Sequence, residues 1–177
     1  MTRSRALLGS LVFLIVAPGT VAGLVPWWLS RWRVQRPLLG AAELRLLGAA
    51  LLVLGAAVLL DSFVRFALRG LGTPAPVAPP RHLVVSGLYR HVRNPMYCGV
   101  VAAIHGQALL LGSAALLGYA LLVWLTVHLF VVVYEEPTLS RTFGEEYEAF
   151  RANVPRWVPR LRGWRGSAGP ESRSGSP

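Results

Sequence analysis

Charge is confined to short clusters along this chain. Between them lie long stretches without a single Asp, Glu, Lys or Arg: Ala6 to Ser30, Leu46 to Leu60, and Asn94 to Tyr134. At about 1.5 Å of rise per residue, the first suffices for one membrane-crossing helix. The second reads as another. The third is too long for one crossing and fits two, with Gly112-Ser113 as the hairpin tip. Beyond it, Leu139, Phe143, Tyr147, Phe150 and Val154 recur at spacings of four, four, three and four, the stripe of an amphipathic helix. The pattern predicts an all-α integral membrane protein. It has about four transmembrane helices, the last two a tight helical hairpin, and a C-terminal amphipathic helix.

The joints carry local signals. Pro18-Gly19 is expected to kink or shorten the first helix. Arg3 and Arg5 before an apolar core, with Thr20-Val21-Ala22 beyond, also fit a signal peptide, but apolar character continues through Trp28 and favours a span. Trp27, Trp28 and Trp32 form an interfacial belt. Asp61 and Arg65 stand four apart, so an anchoring ion pair outweighs an intramembrane functional acid. Thr73 to Pro80 is an extended proline-rich linker, and Leu83-Val84-Val85 a short extended piece ended by the turn Ser86-Gly87. Residues 1–165 read as one domain, and 166–177, rich in Gly, Ser and Pro, as a disordered tail.

Composition agrees. Apolar residues make up 54 % and charged residues 15 %. The net charge of +10 comes from eighteen arginines and no lysine. They flank apolar blocks and form no stripe with aromatic platforms, which argues for topology and headgroup contacts and against nucleic acid. Arg3, Arg5, Arg65, Arg69, Arg81, Arg90 and Arg93 lie near one side of the four spans. Arg31, Arg33, Arg36 and Arg45 lie near the other. The positive-inside rule then puts both termini in the cytoplasm, in a cell inner membrane. Cys98 stands alone, so neither an internal disulfide nor a zinc cluster is expected, and no metal site is predicted.

The candidate chemistry sits where the last two spans begin and end. Asn94 is a good N-cap residue and Pro95 suits the first helical position. A helix N-terminus beside Arg90 and Arg93 attracts anions. The hairpin returns Glu135-Glu136 to the same membrane level. Cation, helix N-terminus, the rings of Tyr89 and Tyr97, and an acid at one mouth suit a zwitterionic, ring-bearing ligand, although Arg93 with Glu135 is equally a plain salt bridge. His105 and His128 lie inside apolar helices, where interhelical hydrogen bonding is the first expectation. His128, two turns below Glu135, is the candidate base if the reaction needs one.

Gly87-x-Tyr89, Arg93-Asn94-Pro95-x-Tyr97, Glu135-Glu136-x-x-Leu139, Phe143-Gly144-Glu145-Glu146-Tyr147 and Val154-Pro155, in this order, resemble the isoprenylcysteine carboxyl methyltransferase family, among the membrane phospholipid methyltransferases. The resemblance covers about Arg81 to Arg160. It implies a methyltransferase using S-adenosylmethionine at the cytoplasmic mouth, with a lipophilic or lipid acceptor entering from the bilayer. It implies a cofactor pocket lined by Arg81, His82, Leu83, Val84, Tyr89, Asn94, Pro95, Met96, Tyr97 and Glu135. Arg93 joins them on charge grounds, and the amphipathic helix would close Tyr147 and Val154-Pro155 over the site. Glu135, Arg93 and His128 are the candidate catalytic residues.

Two positions depart from the family pattern. Asn94 stands where the family usually has His. Val131 stands where the prenylcysteine enzymes carry an Arg toward the acceptor, so a neutral or amine acceptor becomes at least as good a fit as a prenylcysteine carboxylate. Sterol reductases share a similar Arg-x-Pro-x-Tyr turn, so a membrane NADPH-dependent reductase is the alternative, beside a non-catalytic membrane protein that keeps the fold.

Overall fold

The computed structural model describes residues 12–69 and 83–166. The basic start at Thr2 to Arg5, the proline-rich connection Thr73 to Pro80, Arg81 and His82, and the tail from residue 167 lie outside these residues. The described residues are all-helical, with no β-strand among them. The helices are α1 (Val12–Ser30), α2 (Glu43–Arg69), α3 (Pro95–Leu111), α4 (Ala114–Phe143) and α5 (Glu145–Asn153). Helices α1, α2 and α4 are long and apolar enough to cross a membrane, and α3 is a shorter apolar helix. This is the architecture of an integral membrane protein.

Two of the crossings contain a widened π turn, Thr20–Leu24 in α1 and Val131–Glu135 in α4. Each is followed, at the second residue after it, by a proline: Pro26 and Pro137. A proline inside a helix has no N–H to give and its ring presses on the carbonyl four residues back. Widening the preceding turn relieves that contact. For Pro26 the carbonyls left without a donor are those of Ala22 and Val21. Gln107 Nε2 donates to Ala22 O at 2.7 Å and the Tyr119 hydroxyl to Val21 O at 2.9 Å. The defect in α1 is therefore repaired from α3 and α4. Pro18-Gly19 does not stop the helix, and the disturbance begins one residue later.

Helices α2 and α3 run antiparallel with their backbones in contact. A Cβ added at Gly55 would stand 2.7 Å from both Gly99 O and Ala103 N, and one at Gly106 would stand 2.5 Å from Leu52 N. Gly48 and Gly55 thus meet Gly106 and Gly99 as two notches seven residues apart. Small residues that let backbones touch are the usual glue between helices in lipid. On another face, Val100 and Ile104 of α3 pack with Ala120 and Val123 of α4, with Val21 and Ala22 of α1 against them. The hairpin tip falls where predicted. Gly112 adopts φ 72°, and Ser113 caps α4 by accepting from Leu116 N at 3.4 Å.

Helix α4 does not end at Glu135-Glu136. It continues to Phe143, and Gly144, at φ 52°, breaks it from α5. The expected single amphipathic helix is therefore two pieces. Its apolar stripe still converges: Tyr147, Phe150 and Val154 form a buried cluster, with Leu139, Phe143, Leu83, Val85 and Trp164 packed on it. Asp61 and Arg65 form the anchoring pair, at 2.8 Å.

Candidate active site

The turn before α3 is held by the segment that follows α5. Arg93 N donates to Pro155 O at 2.9 Å, Arg160 N to His91 O at 3.0 Å and Trp164 N to Arg90 O at 2.9 Å. The Arg90 side chain adds a bond to Trp164 O at 2.6 Å. Asn94 does not cap α3 with its side chain. Its Nδ2 donates to Arg156 O at 3.2 Å, which ties the helix start to the same returning segment. Pro95 occupies the first turn as expected and is buried.

Behind this turn, Glu136 binds two guanidinium groups. Arg93 Nη1 lies 3.0 Å from Glu136 Oε1, while Arg156 donates through Nε at 2.6 Å and Nη2 at 2.8 Å. The Arg93 and Glu136 side chains are only 9 % and 8 % exposed, so each charge depends on the other for its solvation. The Glu136 carboxylate holds the Arg156 guanidinium above its ordinary pKa. Arg93 also donates to the Tyr147 hydroxyl at 3.4 Å, and its Nε is buried with no partner among the described residues. Burial, and then the Glu136 charge, push the Tyr147 phenol up.

Glu135 turns to a different partner. The Tyr97 hydroxyl donates to Glu135 Oε2 at 3.0 Å, joining the first turn of α3 to the π turn of α4. Arg93 therefore pairs with Glu136, and Glu135 keeps one oxygen without a protein partner among the described residues. Tyr89 is buried at the same place. Burial raises its phenol pKa, and the charges of Glu135 and Asp61 raise it further. The sequence places two carboxylates side by side, and the fold gives one to structure and leaves the other available.

An open groove of about 350 Å³ begins at Tyr97 and follows α3 as far as Leu109, between Leu51 of α2 and Trp124 of α4. Trp157, from the returning segment, covers its mouth end. The Trp157 indole donates to His128 Nδ1 at 3.0 Å, and the imidazole also stacks on Trp124. His128 is thus part of the wall beside the groove, away from the Glu135 cluster. A protein donor already occupies its Nδ1 lone pair.

The phospholipid methyltransferase family model matches residues 44–146, which run from the start of α2 to the start of α5. The chain belongs to the phospholipid methyltransferase family. Among individual proteins, a protein-S-isoprenylcysteine O-methyltransferase of Schizosaccharomyces pombe is 35 % identical over 78 residues, covering 44 % of this chain and 33 % of that protein. Protein-S-isoprenylcysteine O-methyltransferase A of Arabidopsis thaliana is 32 % identical over 80 residues, covering 44 % of this chain and 39 % of that protein. The matched stretch thus spans no more than two fifths of these relatives.

The family region contains nearly all the residues singled out from sequence. Tyr89, Arg93, Asn94, Pro95, Met96, Tyr97 and Glu135 stand together at the paired helix tips. Val84 is buried nearby, and Leu83 is committed to the Tyr147 cluster. Val131, the position of the missing arginine, is buried at 1 % exposure, so its methyl groups fill core space. Glu136, Arg156 and Trp157 are not among the site residues expected from sequence. The first was hidden by its neighbour Glu135, and the others lie in a proline-rich stretch without helical periodicity.

Proposed function

We propose that the protein is an integral membrane methyltransferase that takes its methyl group from S-adenosylmethionine at the paired helix tips and delivers it to a lipophilic acceptor lying in the α3 groove. The observation that carries this reading is the double position of Tyr97. The same side chain bonds Glu135 in the polar cluster and forms the first wall of the apolar groove. A polar ligand and a greasy one would meet at that ring.

The donor set suits the cofactor. Among the described residues Arg93 keeps a buried Nε–H without a partner, and the first N–H groups of α3 lie beside it, a match for a carboxylate. The Glu135 oxygen that has no partner among the described residues suits an ammonium or ribose hydroxyls. Tyr89 and Met96 offer ring and thioether surface for a flat base. The sulfonium supplies an already activated methyl group. The chain's task is then to align the two ligands and exclude water, which the returning segment 154–164 does by closing over the turn. Arg93 and Glu135 act as binding groups. An acid–base part for His128 at Nδ1 would require breaking its bond to Trp157.

The arginine asymmetry supports a cytoplasmic mouth in a cell inner membrane, since Arg65, Arg90 and Arg93 stand at this end. A valine at position 131, where the prenylcysteine enzymes carry an arginine, supports an acceptor without a carboxylate to neutralise. The test is thermal stabilisation of the detergent-solubilised full chain by S-adenosylmethionine or by NADPH, paired with transfer of a labelled methyl group into membrane lipid extract. Stabilisation by S-adenosylmethionine with a labelled lipid product is expected. Stabilisation by NADPH alone would overturn the reading.

A further inference from the structure

Most polar groups that line the groove are already committed. The Tyr97 hydroxyl goes to Glu135, the Cys98 thiol to Trp157 O at 3.7 Å, and the Trp157 N–H to His128. His105 is different. Its Nδ1 lies 2.9 Å from Val101 O, on its own helix, and the expected bond to a neighbouring helix is not made among the described residues. A carbonyl oxygen can only accept, so in the neutral imidazole Nδ1 carries the hydrogen and Nε2 carries a bare lone pair. That Nε2 has no partner among the described residues, and His105 lines the groove. A histidine in an apolar span is costly unless both nitrogens are satisfied.

We infer that His105 is a specificity-determining residue. It selects acceptors whose apolar body carries a hydrogen-bond donor, a hydroxyl or amide N–H, partway along its length. His105 lies eight residues beyond Tyr97, about 12 Å along the helix, so the donor sits about 12 Å from the polar end at the mouth. A plain hydrocarbon or isoprenoid chain has no hydrogen to give there and leaves Nε2 desolvated. An otherwise identical chain with a hydroxyl at that depth satisfies it. Sites that hold a buried hydrogen-bonding group discriminate in this direction, because the analogue without the matching group leaves the site's own polar atom unpaired. This inference rests on the groove being the acceptor site.

The experiment compares octadecan-1-ol with octadecane-1,10-diol, whose second hydroxyl lies at the required depth. Binding to the detergent-solubilised full chain is followed by tryptophan fluorescence and by the ¹⁵N resonance of His105 Nε2. The diol is expected to bind about tenfold more tightly and to shift the Nε2 resonance as hydrogen bonding to a lone pair does. His105→Leu is expected to abolish the preference while keeping octadecan-1-ol binding, and His105→Gln, which restores an acceptor, to recover part of it. Equal affinities for the two alcohols in the wild-type protein, or an unmoved Nε2 resonance, would overturn the inference and leave the methyltransferase reading intact. Failure of both alcohols to bind would overturn the inference together with the groove's assignment. S-adenosylmethionine binding, measured in parallel, reports on the cofactor site independently.

Discussion

The hydroxyl of Tyr97 reaches Glu135 across 3.0 Å, and this bond fastens the beginning of one apolar helix to the π turn of the next. It forms because the Gly112-Ser113 tip folds α3 and α4 back to the same level. The widened turn before Pro137 then helps send adjacent carboxylates to separate partners, Glu135 to Tyr97 and Glu136 to Arg93 and Arg156. The candidate site is thus a product of hairpin topology and of one helical irregularity.

Glu136 and Glu135 should separate cleanly by mutation. Glu136→Ala leaves the Arg93 guanidinium buried and unpaired, and the expected cost is about 3 kcal/mol, at the low end for a broken buried pair because Arg156 is partly exposed. Glu135→Ala removes a group bonded, among the described residues, by Tyr97 alone and should cost about 1 kcal/mol. Denaturation of the two variants in the same detergent checks the order, and equal losses would contradict the assignment.

Gln107→Leu should destabilise the protein by about 1–3 kcal/mol, because the Ala22 carbonyl that Pro26 leaves without a donor would then be unsatisfied. The double variant Pro26→Ala with Gln107→Leu should recover part of that loss, since alanine restores the missing N–H. A double-mutant cycle without coupling would show that the two features are independent.

Gly55→Leu and Gly106→Val should each prevent α2 from seating on α3, because the added Cβ alone comes within 2.5–2.7 Å of backbone atoms. Expression of folded protein should fall sharply for both. Gly118→Ala, where an added Cβ meets nothing within 4 Å, should be neutral.

Alkaline pH should unfold the protein more steeply than surface tyrosines would explain. Tyr89 and Tyr147 both have phenol pKa values raised by burial above the unfolded value near 10. The stability gained by holding them neutral is complete below about pH 10 and is lost as pH climbs toward the folded values, because the unfolded chain releases those protons first. Tyr147→Phe should flatten the stability profile above pH 10, and an unchanged slope would contradict this.

The spans, the hairpin tip, the Pro95 start and the Asp61–Arg65 pair were legible because each rests on local pattern: run length, a turn residue, a cap position, a spacing of four. The partners of Glu135 and Glu136 were not. Neighbouring residues on a helix differ by about 100° in direction, and a π turn changes that phase with only a proline to signal it. The break at Gly144 was hidden because the stripe from Leu139 to Val154 keeps its period across a glycine that takes φ 52°. The return of residues 154–164 over the 90–94 turn is made by three backbone hydrogen bonds and by the side chains of Arg90, His91 and Asn94, and the partners on the returning side are all backbone groups, which leave little trace in side-chain identity. The seven-residue spacing of Gly48 with Gly55 and of Gly99 with Gly106 was available in the sequence and identifies the contact once the helices are known to be antiparallel.

In the proposed function Arg93, Tyr97 and Glu135 together bind the methyl donor. Equilibrium dialysis of tritiated S-adenosylmethionine against the detergent-solubilised full chain tests it most directly, using wild type, Glu135→Ala, Tyr97→Phe and the exposed control Arg141→Ala. Saturable binding is predicted for wild type and Arg141→Ala, with affinity lowered about tenfold or more by Glu135→Ala and less by Tyr97→Phe. The same affinity in all four proteins, or no saturable binding by the wild type, would rule out this placement of the donor site.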